Sequence, residues 1–171
     1  IGMVQRRRAI IGLKTGAQPL QDSEGAGLVA NAEIYNHVEL RAELAGTLFK
    51  SGSDCEPILP LYRLYGVEFV ARLRGMYAIA LYDPANRELI VSRDPFGIKP
   101  LYYAEVDEGF MFASDPSVIQ ASGLVTSRGQ PPNRAALLQL PFKPDRTTLF
   151  QGIHRLPPGE TTGGRQGGVN S

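Results

Sequence analysis

Ser51–Pro57 reads SGSDCEP and sets the only cysteine of the chain between an aspartate and a glutamate. A cysteine attacks as its thiolate, which needs a neighbouring cation or base to lower its pKa. Asp54 and Glu56 beside Cys55 work against a thiolate, and the two histidines, His37 and His154, lie in unrelated stretches. Cys55 therefore reads as a small, partly buried helix residue. No CxxC, HxH or HExxH spacing offers ligands to a metal. Two more polar clusters stand out, Arg6-Arg7-Arg8 and the NAEIYN stretch from Asn31 to Asn36. Each cluster closes a strand-like run or opens a helix, where connecting segments present functional groups. Taken singly they are local structure, since asparagine ends strands in turns and Ser53 or Asp54 caps a helix.

The elements that must position these clusters can be read from periodicity. Residues 27–31 form a buried strand, and Val38, Leu40 and Leu44 mark a helix over 37–44. Ile58, Leu61, Tyr62 and Tyr65 fall on one helix face. Ser53 and Glu56 fit a capping box that would start this helix at Asp54, while Pro60 would kink it or push its start downstream. Four short strands follow, at 75–83, 87–94, 100–106 and 109–115. The links between them are too short for parallel crossovers, which predicts an antiparallel meander. DPSVIQASG predicts one short helix ending at Gly123. Strands on either side of a helical middle make an α+β domain. The end of the chain, residues 160–171, is rich in glycine and reads as a linker or tail that leaves the domain.

Composition narrows the classes. The 171 residues suit one domain, and 43% hydrophobic with 20% charged content is ordinary for a soluble globular protein. A net charge of +1 gives no case for nucleic acid or membrane as partner. A single cysteine excludes an internal disulfide and suits a cytoplasmic protein. No apolar run approaches a membrane span, and there is no signal peptide. The chain starts at Ile1, inside a strand-like pattern, so it reads as a piece of something longer.

Seven stretches in order carry a further message: TGAQPL, NAEIYNHVELRAEL, SGSDCE, LRGMYAIALYD, SRDPFGIKPLYY, FAS and LFQGIHRLPPG. This series resembles the glutaminase domain of asparagine synthetases, class II glutamine amidotransferases of the N-terminal-nucleophile hydrolase type. The resemblance runs from about Arg6 to Gly159, so residues 1–159 are expected to form that domain without its N-terminal segment. It implies a four-layer αββα sandwich of two mainly antiparallel sheets. It also implies hydrolysis of glutamine, with ammonia passing to a separate C-terminal synthetase domain that uses ATP and magnesium. No cofactor is implied for the present domain, and a homodimer is compatible with it.

Residue roles carry over by matching positions. Arg7 would hold the substrate α-carboxylate by a bidentate pair, while Asp54 would hold its α-ammonium with help from Glu33. Asn31 and the backbone N–H of Ala32 would form the oxyanion hole. Two departures matter. Ala32 stands where the family has glycine, so the hole is either kept with strain at positive φ or degraded. The N-terminal cysteine nucleophile is absent, and it should lie upstream of Ile1. Either a disordered N-terminal segment is left out of the sequence, or the chain was shortened, or the domain lost its nucleophile. Another class II amidotransferase and a non-catalytic scaffold are the alternatives. RDPFGIKPLYY reads as a hairpin supporting the site.

Overall fold

The computed structural model describes residues 2–3, 17–107, 109–125, 146, 148, 150–165 and 168–170. Its first sheet is built on β2 (Gly27–Ile34) and β3 (Gly75–Asp83), which pair antiparallel with Leu28 opposite Leu81 and Glu33 opposite Met76. The strand β1 (Leu20–Gln21) borders β2, and β4 (Glu88–Arg93) borders β3 through a tight hairpin. The second sheet holds β5 (Tyr102–Val106) between β6 (Gly109–Ala113) and β7 (His154–Arg155).

Period-two alternation divides the apolar residues between layers. Leu28, Ala30 and Ile34 on β2, with Tyr77, Ile79 and Leu81 on β3, face α1 (His37–Glu43) and α2 (Ile58–Tyr65). Val29, Ala78, Ala80, Leu89 and Val91 face the other way, against Tyr103 of the second sheet and Leu101 and Leu156 at the ends of its strands. The outer face of that sheet packs Ala104 and Ile153 on Ile119 of α3 (Pro116–Ala121). Three cores between four layers define the αββα sandwich, as expected. A polar clamp closes the far end of the first sheet. Fully buried Asp83 accepts from Tyr62 Oη at 3.0 Å and Arg63 Nη1 at 2.8 Å, while Arg63 Nε donates to Asp22 at 2.8 Å.

Three local expectations change. The helix after SGSDCE begins at Ile58, not Asp54, because Pro57 and Pro60 confine it to a later start. The Ser53–Glu56 capping box is absent; Ser53 Oγ takes the Cys55 N–H at 3.3 Å, and Glu56 turns back to residues 50 and 51. The four-strand meander is also broken. The pairs β3–β4 and β5–β6 are hairpins, but the link between β4 and β5 crosses from one sheet to the other. Thirdly, of the tail expected at 160–171 the described residues, 160–165 and 168–170, stay in the domain. Residues Thr161–Arg165 form β8 on the free edge of β4, and β9 (Gly168–Asn170) pairs with β8. Glycine permits this contact, since a Cβ on Gly163 would stand 2.4 Å from the Leu89 carbonyl oxygen.

Candidate active site on the edge of strand β2

NAEI is the continuation of the buried strand, not a loop, so its alternation sorts its side chains. Asn31 and Glu33 share the face of Val29, toward the second sheet, and both are exposed. Ala32 points the other way and packs against the helical core.

The backbone of Ala32 is the more informative group. Across the pair stands Tyr77, whose N–H donates to Asp94 Oδ2 at 3.3 Å and whose carbonyl accepts the Asp94 N–H at 2.9 Å. Both polar groups of Tyr77 thus turn away from β2, which makes Ala32–Tyr77 a non-hydrogen-bonded pair. The N–H of Ala32 must then point to the outer edge of β2, with those of Ala30 and Ile34. Ala30 N–H donates to Gln18 Oε1 at 2.6 Å, and Gln18 Nε2 returns a bond to the Ala30 carbonyl at 3.0 Å. Ile34 N–H donates to Asp54 Oδ2 at 2.7 Å. Between them, among the described residues, the Ala32 N–H has no acceptor.

Asp54 is therefore brought to the strand that carries Asn31 and Glu33, although twenty residues separate Asp54 from its partner Ile34. One of its oxygens is engaged by Ile34 and the other faces Cys55 Sγ at 3.7 Å, leaving carboxylate lone pairs for a cation. Glu33 lies 3.8 Å from Lys99 Nζ, a long pair exposed on the Glu33 side that orients more than it stabilises. Arg7 lies outside the described residues. Cys55 is 3% exposed and packed in the helical core, as far from a reactive thiol as its neighbours implied. Asn36 is structural: it receives the Arg74 N–H and donates to the Arg72 carbonyl, both at 2.9 Å.

Two supports escaped the sequence reading. Gln18 acts as a side-chain extension of β1, a role its type does not announce. Asp94 is the second. It is fully buried and accepts from the backbone N–H groups of Phe96, Ile98, Lys99 and Tyr77. Burial alone would raise its pKa, but these four donors outweigh it and hold the carboxyl below its ordinary value. Next to it Arg93 donates to the carbonyls of Lys99, Leu156 and Gly97 at 2.6–2.7 Å. Together they shape the crossing segment that delivers Lys99 to Glu33. A surface cavity of about 300 Å³ lined by Tyr62, Arg63, Asn86 and Glu88 lies elsewhere. It sits at the Asp83 end of β3, five residues or about 17 Å from Ala78, the partner of Asn31.

A four-layer αββα sandwich with its polar groups on the edge of an inner strand is the fold of N-terminal-nucleophile hydrolases. The chain belongs to the glutamine amidotransferase domain family, whose model matches residues 1–171. It is 37% identical to asparagine synthetase [glutamine-hydrolyzing] 1 of Bacillus subtilis, over 93% of this chain and 26% of that protein. It is also 34% identical to the amidase chry2 of Gibberella zeae, over 93% of this chain and 24% of that one. Among solved structures, glutamine phosphoribosylpyrophosphate amidotransferase from B. subtilis superposes with a TM-score of 0.64 at 21% identity. That match covers 90% of this chain and 30% of the other. The chain thus spans about a quarter of the length of these sequence relatives. Among the described residues no helix is long and apolar enough to cross a membrane.

Proposed function

We propose that this domain hydrolyses glutamine to glutamate and ammonia. The observation that carries the reading is the shared strand edge. Ala32 N–H points there without an acceptor among the described residues, and Asp54 is tied to Ile34 two residues on. Two residues of strand span about 7 Å, which suits glutamine lying along β2 with its amide at Ala32 and its ammonium at Asp54. In this reading a cysteine from outside residues 1–171 attacks the amide carbon, with its own α-amino group taking the proton. The oxyanion receives the Ala32 N–H and the Asn31 side-chain amide; one such donor contributes about 2.7–4 kcal/mol to the transition state. Ammonia leaves with that proton, and water then hydrolyses the thioester. Arg7 holds the α-carboxylate, and Asp54 with Glu33 holds the α-ammonium.

The ammonia passes to a separate domain that uses ATP and magnesium to make an amide. Support for this comes from the sequence relatives, which are about four times longer than this chain and include a glutamine-hydrolysing asparagine synthetase. The test is covalent labelling of the intact protein with an electrophilic glutamine analogue, with the adduct located by mass spectrometry. Labelling at a cysteine outside residues 1–171 is the expected result. An adduct on Cys55 overturns the assignment, and no adduct at all favours a non-catalytic scaffold.

A further inference from the structure

We infer that Arg41 and Glu56 are positioning residues that set the affinity for the substrate ammonium by bracing the loop that carries Asp54. The inference rests on the reading of Asp54 as the ammonium-holding group.

The loop from Lys50 to Glu56 has no regular structure and contains Gly52, so its backbone has little intrinsic reason to hold one shape. Two side chains remove that freedom from opposite sides. Arg41, on α1, points a single nitrogen, Nη2, at the Ser51 carbonyl (2.9 Å), the Ser53 carbonyl (2.8 Å) and Glu56 Oε2 (3.1 Å). Its guanidinium is fixed in turn by stacking 4.2 Å over the Phe49 ring. Glu56 gathers the donors of the same loop. It accepts from the backbone N–H groups of Lys50 and Ser51 and from Ser51 Oγ at 2.9 Å. Burial alone would raise its pKa, yet the Lys50 and Ser51 donors, with Arg41, hold it below the ordinary value. Both groups are largely buried, with 23% and 15% of their side chains exposed, so these charge-assisted bonds are poorly screened.

Carbonyls 51 and 53 and amides 50 and 51 are thus all held by one ion pair. Among the described residues neither member bonds the Asp54 carboxylate, whose partners are Ile34 N–H and Cys55 Sγ. The Asp54 carboxylate has a single short bond to the first sheet, to Ile34 N–H. Its place relative to Ala32 therefore depends on where the braced loop holds its Cα. Loosening the brace would let the carboxylate drift from the ammonium position while Asn31 and Ala32, in a paired strand, stay put. Ground state and transition state would lose the same contact, which raises KM and spares kcat.

The test measures glutamine hydrolysis by the intact protein and its Arg41→Met, Arg41→Lys, Glu56→Gln and Asp54→Asn variants. Arg41→Met and Glu56→Gln should raise KM for glutamine about tenfold, the weight of one charge-assisted hydrogen bond, with kcat within about twofold. Arg41→Lys, which keeps the charge and three donors, should recover part of the loss. Asp54→Asn serves as the reference and should raise KM at least as much. A higher KM in Asp54→Asn alone overturns the brace and leaves the role of Asp54 standing. Unchanged KM in Asp54→Asn overturns the underlying reading itself. A fall in kcat with unaltered KM in Arg41→Met and Glu56→Gln means a smaller folded fraction, and that also overturns the brace.

Discussion

At residue 32 a methyl group stands where the motif resemblance implies a glycine, and its effect depends on one backbone angle. Were φ positive there, alanine would strain the proposed oxyanion hole. Among the described residues the one non-glycine with positive φ is Arg87, at 51°, and Ala32 lies within β2. The Cβ points into the helical core, away from the strand edge where the N–H is presented. Ala32→Gly should therefore leave kcat within about twofold and lower stability by about 0.5–1 kcal/mol through added chain entropy and lost packing. Steady-state kinetics beside denaturant melts check this, and a rise in kcat of tenfold or more would show that the alanine had been degrading the hole. The same scale explains Cys55. Its acidic neighbours argued against a thiolate in sequence, and its burial agrees.

Among elements, the crossing from β4 to β5 decides the site's surroundings. Asp94 collects four backbone donors there, and Arg93 reaches three carbonyls, so their side chains substitute for the ladder that the segment lacks. In Asp94→Asn the amide would meet N–H groups with an NH2 of its own, leaving buried donors unmatched. The expected loss at pH 7 is about 2–4 kcal/mol. The sign with pH follows from the depressed carboxyl pKa. Such a group stabilises fully above its unfolded value near 3.9, and its contribution vanishes as pH falls through the folded value. Urea melts of both proteins from pH 7 to 3 should show the gap closing below about pH 4. A gap independent of pH would mean that the carboxylate charge is not what holds the segment. RDPFGIK was legible as a structural device. Its destination in a second sheet was not, because turn residues report a change of direction and not which edge the next strand finds.

For the whole molecule, the last residues carry the largest difference between pattern and structure. ETTGGR has no apolar period, and a strand was not legible in it. Strand β4 needs a neighbour for its free backbone groups, and β8 supplies one at Gly163, where β8 runs too close to Leu89 for any side chain. Gly163→Ala should force the strands apart at a cost of about 2 kcal/mol, lowering Tm by about 4–8 °C in a domain of this size. Differential scanning calorimetry reads the shift directly. An unchanged Tm would mean that β8 adds little to the sheet.

What the residues determine alone is therefore local and chemical. The period-two and helical runs place the first part of β2, β3 to β6, α1, α2 apart from its start, and α3, because burial of alternate or every third-to-fourth side chain is written into residue type. The ordered motifs mark Asn31, Ala32, Glu33 and Asp54 as a set. Tertiary structure decides what depends on long-range pairing: which strand edge each carbonyl and amide meets, that β4 and β5 lie in different sheets, and that Gly163 docks on Leu89. It also decides that Asp54 bonds Ile34 from a loop gripped by Arg41 and Glu56. Hydrogen bonds between residues twenty or seventy apart leave no periodic trace, since each end looks like ordinary turn or cap chemistry until the chain has closed around it.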